Sequence, residues 1–562
     1  MENQKNLILA VVFSIIVLLV FDLFYPKPKN NFENEESKIK SEKVISNDDT
    51  LEPKITNKTA VINSKDQIKE DRIFFEMERI KGSINLYGAT FDDVTLKNYR
   101  ETIDENSKLI ELLKKESSNN PYLMRMGWAS TDKIELPNKN TLWKSDKKQY
   151  KSGETIILEW TNPENIKFLR KIIIDQNFIF KVIDSVENMS SDTIQVSNFA
   201  YIQRKNYRPK NKFFILHEGP LGVFNETLKE ISYDELEEKG TINEKTKNGW
   251  IGITDHYWQV SIFPDVTQTF KARFKYINSE KNSIQVDYIN NDVLEIKPSE
   301  IINVNSYLFV GAKEVPLIDS YIKELNISKF DLSVDFGWFY FLTKPLFYAL
   351  NYLSVFFGNF GVGIIILTIF VRLILFPLAN KSFKSMNSMR ILTPEIQSIR
   401  ERFKDDRTKM NQEMFSLYKE KKINPAAGCL PILVQIPIFF ALYKVLFVSI
   451  EMRHAHFFGW IKDLSAPDPT SVFNLFGLIP WDPPSFLYIG IWPILMGLTM
   501  YLQQKINPPP PDPIQAKVFM MLPFIFTFLL ATFPAGMVVY WTVNNILSIS
   551  QQAFLLNRQK KE

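Results

Sequence analysis

Residues 361–377 constrain this chain more than any other stretch. Apart from Thr368 and Arg372 the run is apolar, and about 20 apolar residues suffice to cross a hydrocarbon core of about 30 Å. Arg372 sits inside it, roughly 12 Å at helical rise from the basic flank that opens at Lys381. A guanidinium keeps its proton in a protein, so at that depth it needs water, a partner or a polar cavity. Two plainer readings compete: an arginine reaching up to the headgroups, or the core helix of a soluble protein. The depth opposes the first and five further apolar segments oppose the second, so the sequence points to a functional charge within a membrane.

The rest of the composition fits that reading. Apolar residues make up 45% of the chain and 45 residues are Phe, while the formal net charge is only +4. A charge so close to neutral for this length gives no sign of a nucleic-acid partner; how the charge is distributed says more. The single cysteine, Cys429, excludes an intrachain disulfide framework and any multi-cysteine metal site. At the head of an apolar segment it reads as a small buried hydrophobe.

Taken in order, residues 1–25 carry Lys5 and the apolar run 7–24. That run is longer than the ~7–15 apolar residues of a cleaved signal, and no small-x-small site follows it, so it reads as an uncleaved signal anchor. Residues 26–71 are rich in Asn, Lys, Glu, Ser and Asp, too poor in apolar side chains to order themselves, and read as a disordered tether. From 72 to 328 short alternating runs take over, among them residues 82–87, 154–160, 177–183, 193–196 and 283–288. Their period of two and their β-branched and aromatic content predict strands, and so many short strands predict a β-sandwich. Within it, His217-Glu218 and Asp255-His256 are pairs of a kind that a sugar-binding sandwich could use; loop or hydrogen-bonding roles are the plainer reading.

Pro316 to Leu325 reads as a short helical linker, and residues 329–356 as linker plus an aromatic-rich amphipathic helix at the membrane surface, with Lys344 its lone cation. The Arg372 span covers 357–380. Residues 381–428 form a basic helical hairpin whose stripes are Leu392, Ile396, Ile399 and Phe403 on one helix and Met410, Met414 and Leu417 on the other. Thr393 before Pro394 is the expected cap of the first helix, Thr408 of the second, and Asn424-Pro425 the stop. Further spans are expected at 429–450, 485–504, 518–532 and 535–556. They are joined by a Trp-containing loop at 451–484 and a stiff proline-rich connector at 505–517, and followed by a basic tail at 557–562. Alternating the six transmembrane helices gathers Lys5, the hairpin, the connector and the tail on one side, the cytosol by the positive-inside rule. The β domain then lies outside, in the periplasm of a bacterium whose inner membrane holds the chain as a multi-pass protein.

Prolines recur in or beside the spans at Pro377, Pro431, Pro437, Pro493, Pro523 and Pro534, each removing a backbone donor. Thr368, Gln435, Gln503, Thr527, Thr542, Asn544 and Asn545 add polar side chains, stable there only against one another or water. Kinked helices, polar linings and one Arg together predict a hydrated cavity. We expect Arg372, Thr368, Gln435, Thr527, Thr542 and Asn544 to line it.

At these residues the chain resembles the YidC-type membrane protein insertases. The likeness is carried by Phe370-Val-Arg372-Leu-Ile-Leu-Phe-Pro377 with the following Ser388 to Gln397, by Asn424 to Tyr443, and by Trp460 to Pro469. It extends weakly into the β domain at Gly249-Trp-Ile-Gly-Ile, and the loop between Pro469 and Ser485 is longer than the family pattern. The resemblance implies a polytopic α-helical membrane protein with a five-helix insertase core and, in the Gram-negative subtype, a large periplasmic β-sandwich. It implies an insertase and chaperone, not an enzyme, needing no ATP, metal or other cofactor. Clients would be nascent membrane proteins, and partners the ribosome, the signal-recognition pathway, the Sec translocon and membrane lipids. Arg400, Arg402, Arg407, Lys560 and Lys561 are the cations expected to dock the cytosolic partners. No Walker-type loop and no His-Glu-x-x-His is present. A solute transporter or channel using Arg372 as counter-charge is the rival class; such proteins usually carry repeated halves, and no repeat is visible here.

Overall fold

The computed structural model describes residues 70–209, 216–265, 268–277, 282–404, 406–421, 430–481, 483–484, 487–506 and 513–559. The signal anchor, nearly all of the tether, Asn424, Pro425, Cys429, Lys560 and Lys561 lie outside the described residues.

Two sheets account for residues 72–312. One runs in spatial order from Thr227–Glu230 through Gly219–Phe224, Gly249–Thr254, Trp258–Phe263, Ile301–Ala312, Ile179–Asn188, Ile166–Ile174 and Thr155–Thr161 to Lys144–Ser145. The other is centred on Ile284–Asn290, Ile194–Arg204, Tyr122–Ala129 and Thr90–Arg100. The alternation read from the sequence sets their faces. In Ile166–Ile174, residues 166, 168, 170, 172 and 174 are buried while the intervening ones reach solvent to differing degrees, as a period of two requires. The sheets pack face to face: Phe180 of the first meets the edges of Phe75 and Phe91 of the second, with ring centroids 5.7 and 5.9 Å apart. Some of the buried residues are charged. Arg170 is fully buried, and its Nε and Nη2 donate to Asp184 at 2.6 and 3.2 Å and Nη2 to the Met126 carbonyl at 2.9 Å, partners without which a buried guanidinium is strongly destabilising. A short helix, α1 (Tyr233–Lys239), is capped by Ser232.

The expected linker is helix α2 (Val315–Leu325), and it is docked on the sandwich. Tyr321 donates to Asp175 at 2.5 Å and accepts from the Phe178 N–H at 3.2 Å. The aromatic stretch becomes α3 (Tyr340–Phe357). Phe347 and Leu350 are buried, but Phe341, Tyr352, Val355 and Phe356 are 70–76% exposed, so its outer face is apolar too. Gly358, at φ 66°, ends it in the left-handed conformation that costs glycine least. Asn359 then opens α4 (Phe360–Ile391) by accepting the Val362 N–H at 3.1 Å.

At 32 residues α4 is about 48 Å long. The helix itself runs past 380, where the sequence reading ends the transmembrane segment, and continues to Ile391. Helices α5 (Thr393–Arg402) and α6 (Arg407–Glu420) follow. Leu392, Ile396 and Leu417 form their shared core, with Met389, Ile399 and Met414 against it, as the two stripes predict. Their caps differ from expectation. The Thr393 hydroxyl donates back to the Met389 carbonyl at 3.3 Å, because α4 runs close enough to offer it. Asp406, not Thr408, caps α6, accepting the Lys409 N–H at 3.0 Å.

The remaining helices are α7 (Leu430–Val448), α8 (Ile491–Ile506), α9 (Pro513–Leu530) and α10 (Ala535–Gln559). Relative to the sequence boundaries α8 starts later and α9 earlier. Among the described residues one helix, Phe360–Met389, is long and apolar enough to cross a membrane by length and composition; residues 435–448 and 516–530 form shorter apolar helices. The contact between α8 and α9 requires a glycine: a Cβ on Gly497 would lie 1.9 Å from the Thr527 hydroxyl oxygen.

Candidate functional site

Arg372 projects from α4 onto α10. Its Nε donates to Asn544 Oδ1 at 2.8 Å, and Nη2 donates to Ser548 Oγ at 2.6 Å and the Asn544 carbonyl at 3.4 Å. The phase of α10 makes this possible, since Tyr540, Asn544 and Ser548 fall at i, i+4 and i+8 and share one face. Ser548 also donates to the Asn544 carbonyl at 2.7 Å. All of these acceptors are neutral, and among the described residues no carboxylate lies within ion-pair distance of Arg372. Among the described residues the guanidinium is thus oriented by neutral acceptors alone.

It stands on the wall of a cavity of about 650 Å³. Gln435, Gln503, Gln504, Asn544 and Asn545 contribute polar groups, and Phe439, Phe440, Phe526, Tyr540 and Trp541 an aromatic side. Phe439 holds that side together, edge-on to Trp541 at 4.8 Å between centroids. Outside the cavity α4 turns Phe370, Leu373 and Ile374 outward, each about 60% exposed. A charged, amide-lined recess thus borders an apolar flank on one helix.

Of the six residues expected here, Arg372, Gln435 and Asn544 line the cavity. Thr368, Thr527 and Thr542 stand off it: their hydroxyls donate to carbonyls of their own helices at Ile364, Pro523 and Val538, at 2.6, 2.7 and 2.8 Å. A lone threonine in an apolar helix satisfies itself this way, so polarity alone did not separate lining from packing. Ser548 and Tyr540 were missed, though the i, i+4 spacing from Asn544 carried the signal. Gln503 and Asn545 were noted as polar without a position. Of the basic residues, Arg402 is exposed and Arg400 half-buried on α5, and Arg407 begins α6.

At the other end of α7 polar contacts tie the helices to α2, to the segment after it and to the sandwich. Lys444 pairs with Asp335 at 2.7 Å, Lys344 with Asp319 at 2.8 Å, and His256 Nε2 lies 2.8 Å from the Phe447 carbonyl. Burial pushes the imidazole down to about 4, so it is neutral and its Nε2–H donates. Glu218 accepts the His256 N–H at 2.9 Å, Asp255 pairs with Arg204 at 2.7 Å, and His217 Nε2 meets the Pro220 carbonyl at 2.9 Å. Both histidine–carboxylate pairs are therefore taken up by loop and interface bonding. Glu451 follows α7 and accepts the Val315 N–H at 3.3 Å; burial raises its carboxyl to about 7.

The chain matches two family models, "60Kd inner membrane protein" over residues 352–562 and "YidC periplasmic domain" over residues 72–349. It is similar to a membrane protein insertase YidC of Rickettsia massiliae (strain Mtu5), 43% identical over 560 residues covering 99% of each protein. The corresponding protein of Rickettsia prowazekii (strain Madrid E) is 44% identical over 558 residues, again 99% of each. A crystal structure of an active YidC insertase with its first transmembrane domain resolved aligns over 86% of this chain and 92% of its own, at 17% identity and a TM-score of 0.34.

Proposed function

This chain belongs to the YidC family of membrane protein insertases, and from that premise we propose that it passes client segments into lipid through the cavity beside Arg372. It is an inner-membrane insertase with a periplasmic domain, not an enzyme, and its clients are nascent membrane proteins. A channel or solute transporter is not favoured by these relatives.

The observation that carries the proposal is the neutral cradle of Asn544 and Ser548 around a charge on a cavity wall. A charge at the centre of a spanning helix costs about 2.5–3.5 kcal/mol even on insertion scales. Amides and admitted water lower that cost without cancelling the charge. The polar tail of a client entering from the cytosol leaves bulk water in steps, and an acidic tail is drawn to the guanidinium. Its apolar segment meanwhile moves along the flank of Phe370, Leu373 and Ile374 into lipid, where burial makes the step downhill without nucleotide. Arg372→Glu in reconstituted vesicles should impair clients with acidic translocated tails most, and Arg372→Lys should retain part of the activity. Wild-type insertion of acidic-tailed clients by Arg372→Glu would refute the electrostatic role.

The same proposal sets both termini and the hairpin in the cytosol and the sandwich in the periplasm, with six spans including the N-terminal anchor. It has the cations of the hairpin and tail (Arg400, Arg402, Arg407, Lys560 and Lys561) attract the ribosome and the signal-recognition pathway, by an attraction that weakens with salt. The Sec translocon is the second partner.

A further inference from the structure

The loop before α8 is built unlike the rest of the surface. Residues 470–481 contain no Asp, Glu, Lys or Arg. Leu478 is 84% exposed, and Phe473, Leu475, Phe476, Ile479 and Trp481 lie between 42 and 52%. Such a run on a water-facing loop would be an unusually large contiguous apolar patch. Much of its backbone is bonded to nearby carbonyls. The N–H groups of Val472, Leu475, Phe476, Leu478, Ile479 and Trp481 all reach carbonyls, at 2.8–3.3 Å, which is what an apolar surround demands of a non-helical segment. To achieve that, Leu475 and Phe476 both adopt positive φ, 48° and 60°, a conformation costly for side chains of their size.

The loop is fixed at one end of the helix set. Asp468 accepts the Trp492 N–H at 3.0 Å and the Trp460 indole N–H at 3.1 Å, and Thr470 Oγ1 accepts the Ile491 N–H at 3.1 Å. These bonds hold its base against the N-terminus of α8. Trp460 and Phe458, 40 and 63% exposed, are at the same end. Helix α8 has 16 residues, about 24 Å, roughly 6 Å less than a hydrocarbon core. The apolar loop precedes α8 at its N-terminal end.

We propose that residues 470–481 are seated in the periplasmic leaflet of the bilayer, at the level where headgroups meet acyl chains, and complete the span that α8 leaves short. The occupant of the patch is lipid. The absence of charge, the backbone N–H groups bonded to carbonyls and the bonds that seat the loop base on the N-terminus of α8 select it over water. Trp481 and Trp460 then lie in the interfacial belt that tryptophan favours. The proposal rests on the membrane placement proposed above.

The test uses the full chain with Cys429→Ser, reconstituted in vesicles, and one new cysteine carrying an environment-sensitive fluorophore. The sites are Leu478→Cys, Ile479→Cys, Phe524→Cys on the outer face of α9, and Ser191→Cys on the sandwich. Spin labels high on the acyl chain should quench at 478 and 479 several-fold more than at 191, and aqueous iodide should show the reverse order. Iodide quenching at 478 and 479 equal to that at 191 would overturn the proposal, as would protection from both quenchers, which would mean a protein partner or a second copy. Phe524→Cys separates the two levels: if the acyl-chain label fails there, the membrane placement is wrong, whereas quenching at 524 without quenching at 478 sinks the loop proposal alone.

Discussion

Glu451→Gln is the substitution whose consequence follows most directly from the structure. The carboxyl is buried between the end of α7 and the start of α2; Oε1 accepts the Val315 N–H, and Oε2 has no partner among the described residues. Burial, reinforced by nearby Glu314, raises it from an ordinary 4.5 to about 7. Between those values the opened junction sheds a proton that the closed junction keeps, so closure weakens as pH rises from about 4.5 and the full cost is present above about 7. Each unit is worth about 1.4 kcal/mol, so the cost approaches about 3 kcal/mol at pH 8. Glutamine keeps the acceptor for Val315 and carries no charge. Protection of the amides at 315–325 and 449–453 against hydrogen exchange should therefore rise by about two orders of magnitude in Glu451→Gln at pH 8, and match wild type near pH 4.5. An equal difference at both pH values would refute the reasoning, because a change of shape does not depend on protons.

His256 works in the opposite sense. Its pKa is lowered to about 4, so the bond to Phe447 is intact above the ordinary 6.5 and its contribution is lost as pH falls toward 4; His256→Asn should remove that acid-side loss of amide protection at 447–453. Asn544→Ala takes one charge-assisted acceptor from Arg372 and should destabilise the helix set by about 1.5–3 kcal/mol, read as a lower unfolding midpoint in detergent. Asn544→Asp should instead raise that midpoint while lowering insertion of acidic-tailed clients, a divergence that a merely structural Asn544 would not produce. With Cys429→Ser as background, cysteines at Ser191 and Ser385 should label from opposite sides of the membrane; labelling of both by a reagent confined to the periplasm would overturn the topology.

What the sequence made legible was whatever repeats along one element. The period of two in residues 154–160 and 177–183 returned as strands, and the hairpin stripes as the packed pair Ile396 and Leu417. Boundaries were less legible, because a helix as apolar as α4 does not stop where its composition changes. Helix α4 runs on to Ile391, one residue short of α5, and the Lys409 N–H at the start of α6 goes to Asp406 rather than leaving Thr408 to cap the helix. The capping residue is chosen by backbone geometry that a propensity does not contain.

The cradle of Arg372 was the hardest part to read, for a geometric reason. Arg372 and Ser548 are 176 positions apart, and whether they touch depends on the rotational phase of two helices about their own axes, which no local pattern reports. Within α10 the phase is set by its buried side. Val538, Thr542 and Asn545 are buried at 2–3% exposure, and Asn545 donates to Thr499 of α8 at 3.3 Å. Once α8 fixes that face, Asn544, one position or about 100° around the helix, is turned toward α4, and Ser548 follows one turn later. Asn545→Leu should therefore disturb Arg372 without touching it. Losing the Thr499 bond frees α10 to rotate, and the expected sign is weaker insertion of acidic-tailed clients with neutral-tailed clients spared. If both client classes fell together, Asn545 would be a general packing residue, and the orientation of Arg372 would owe nothing to the contact between α8 and α10.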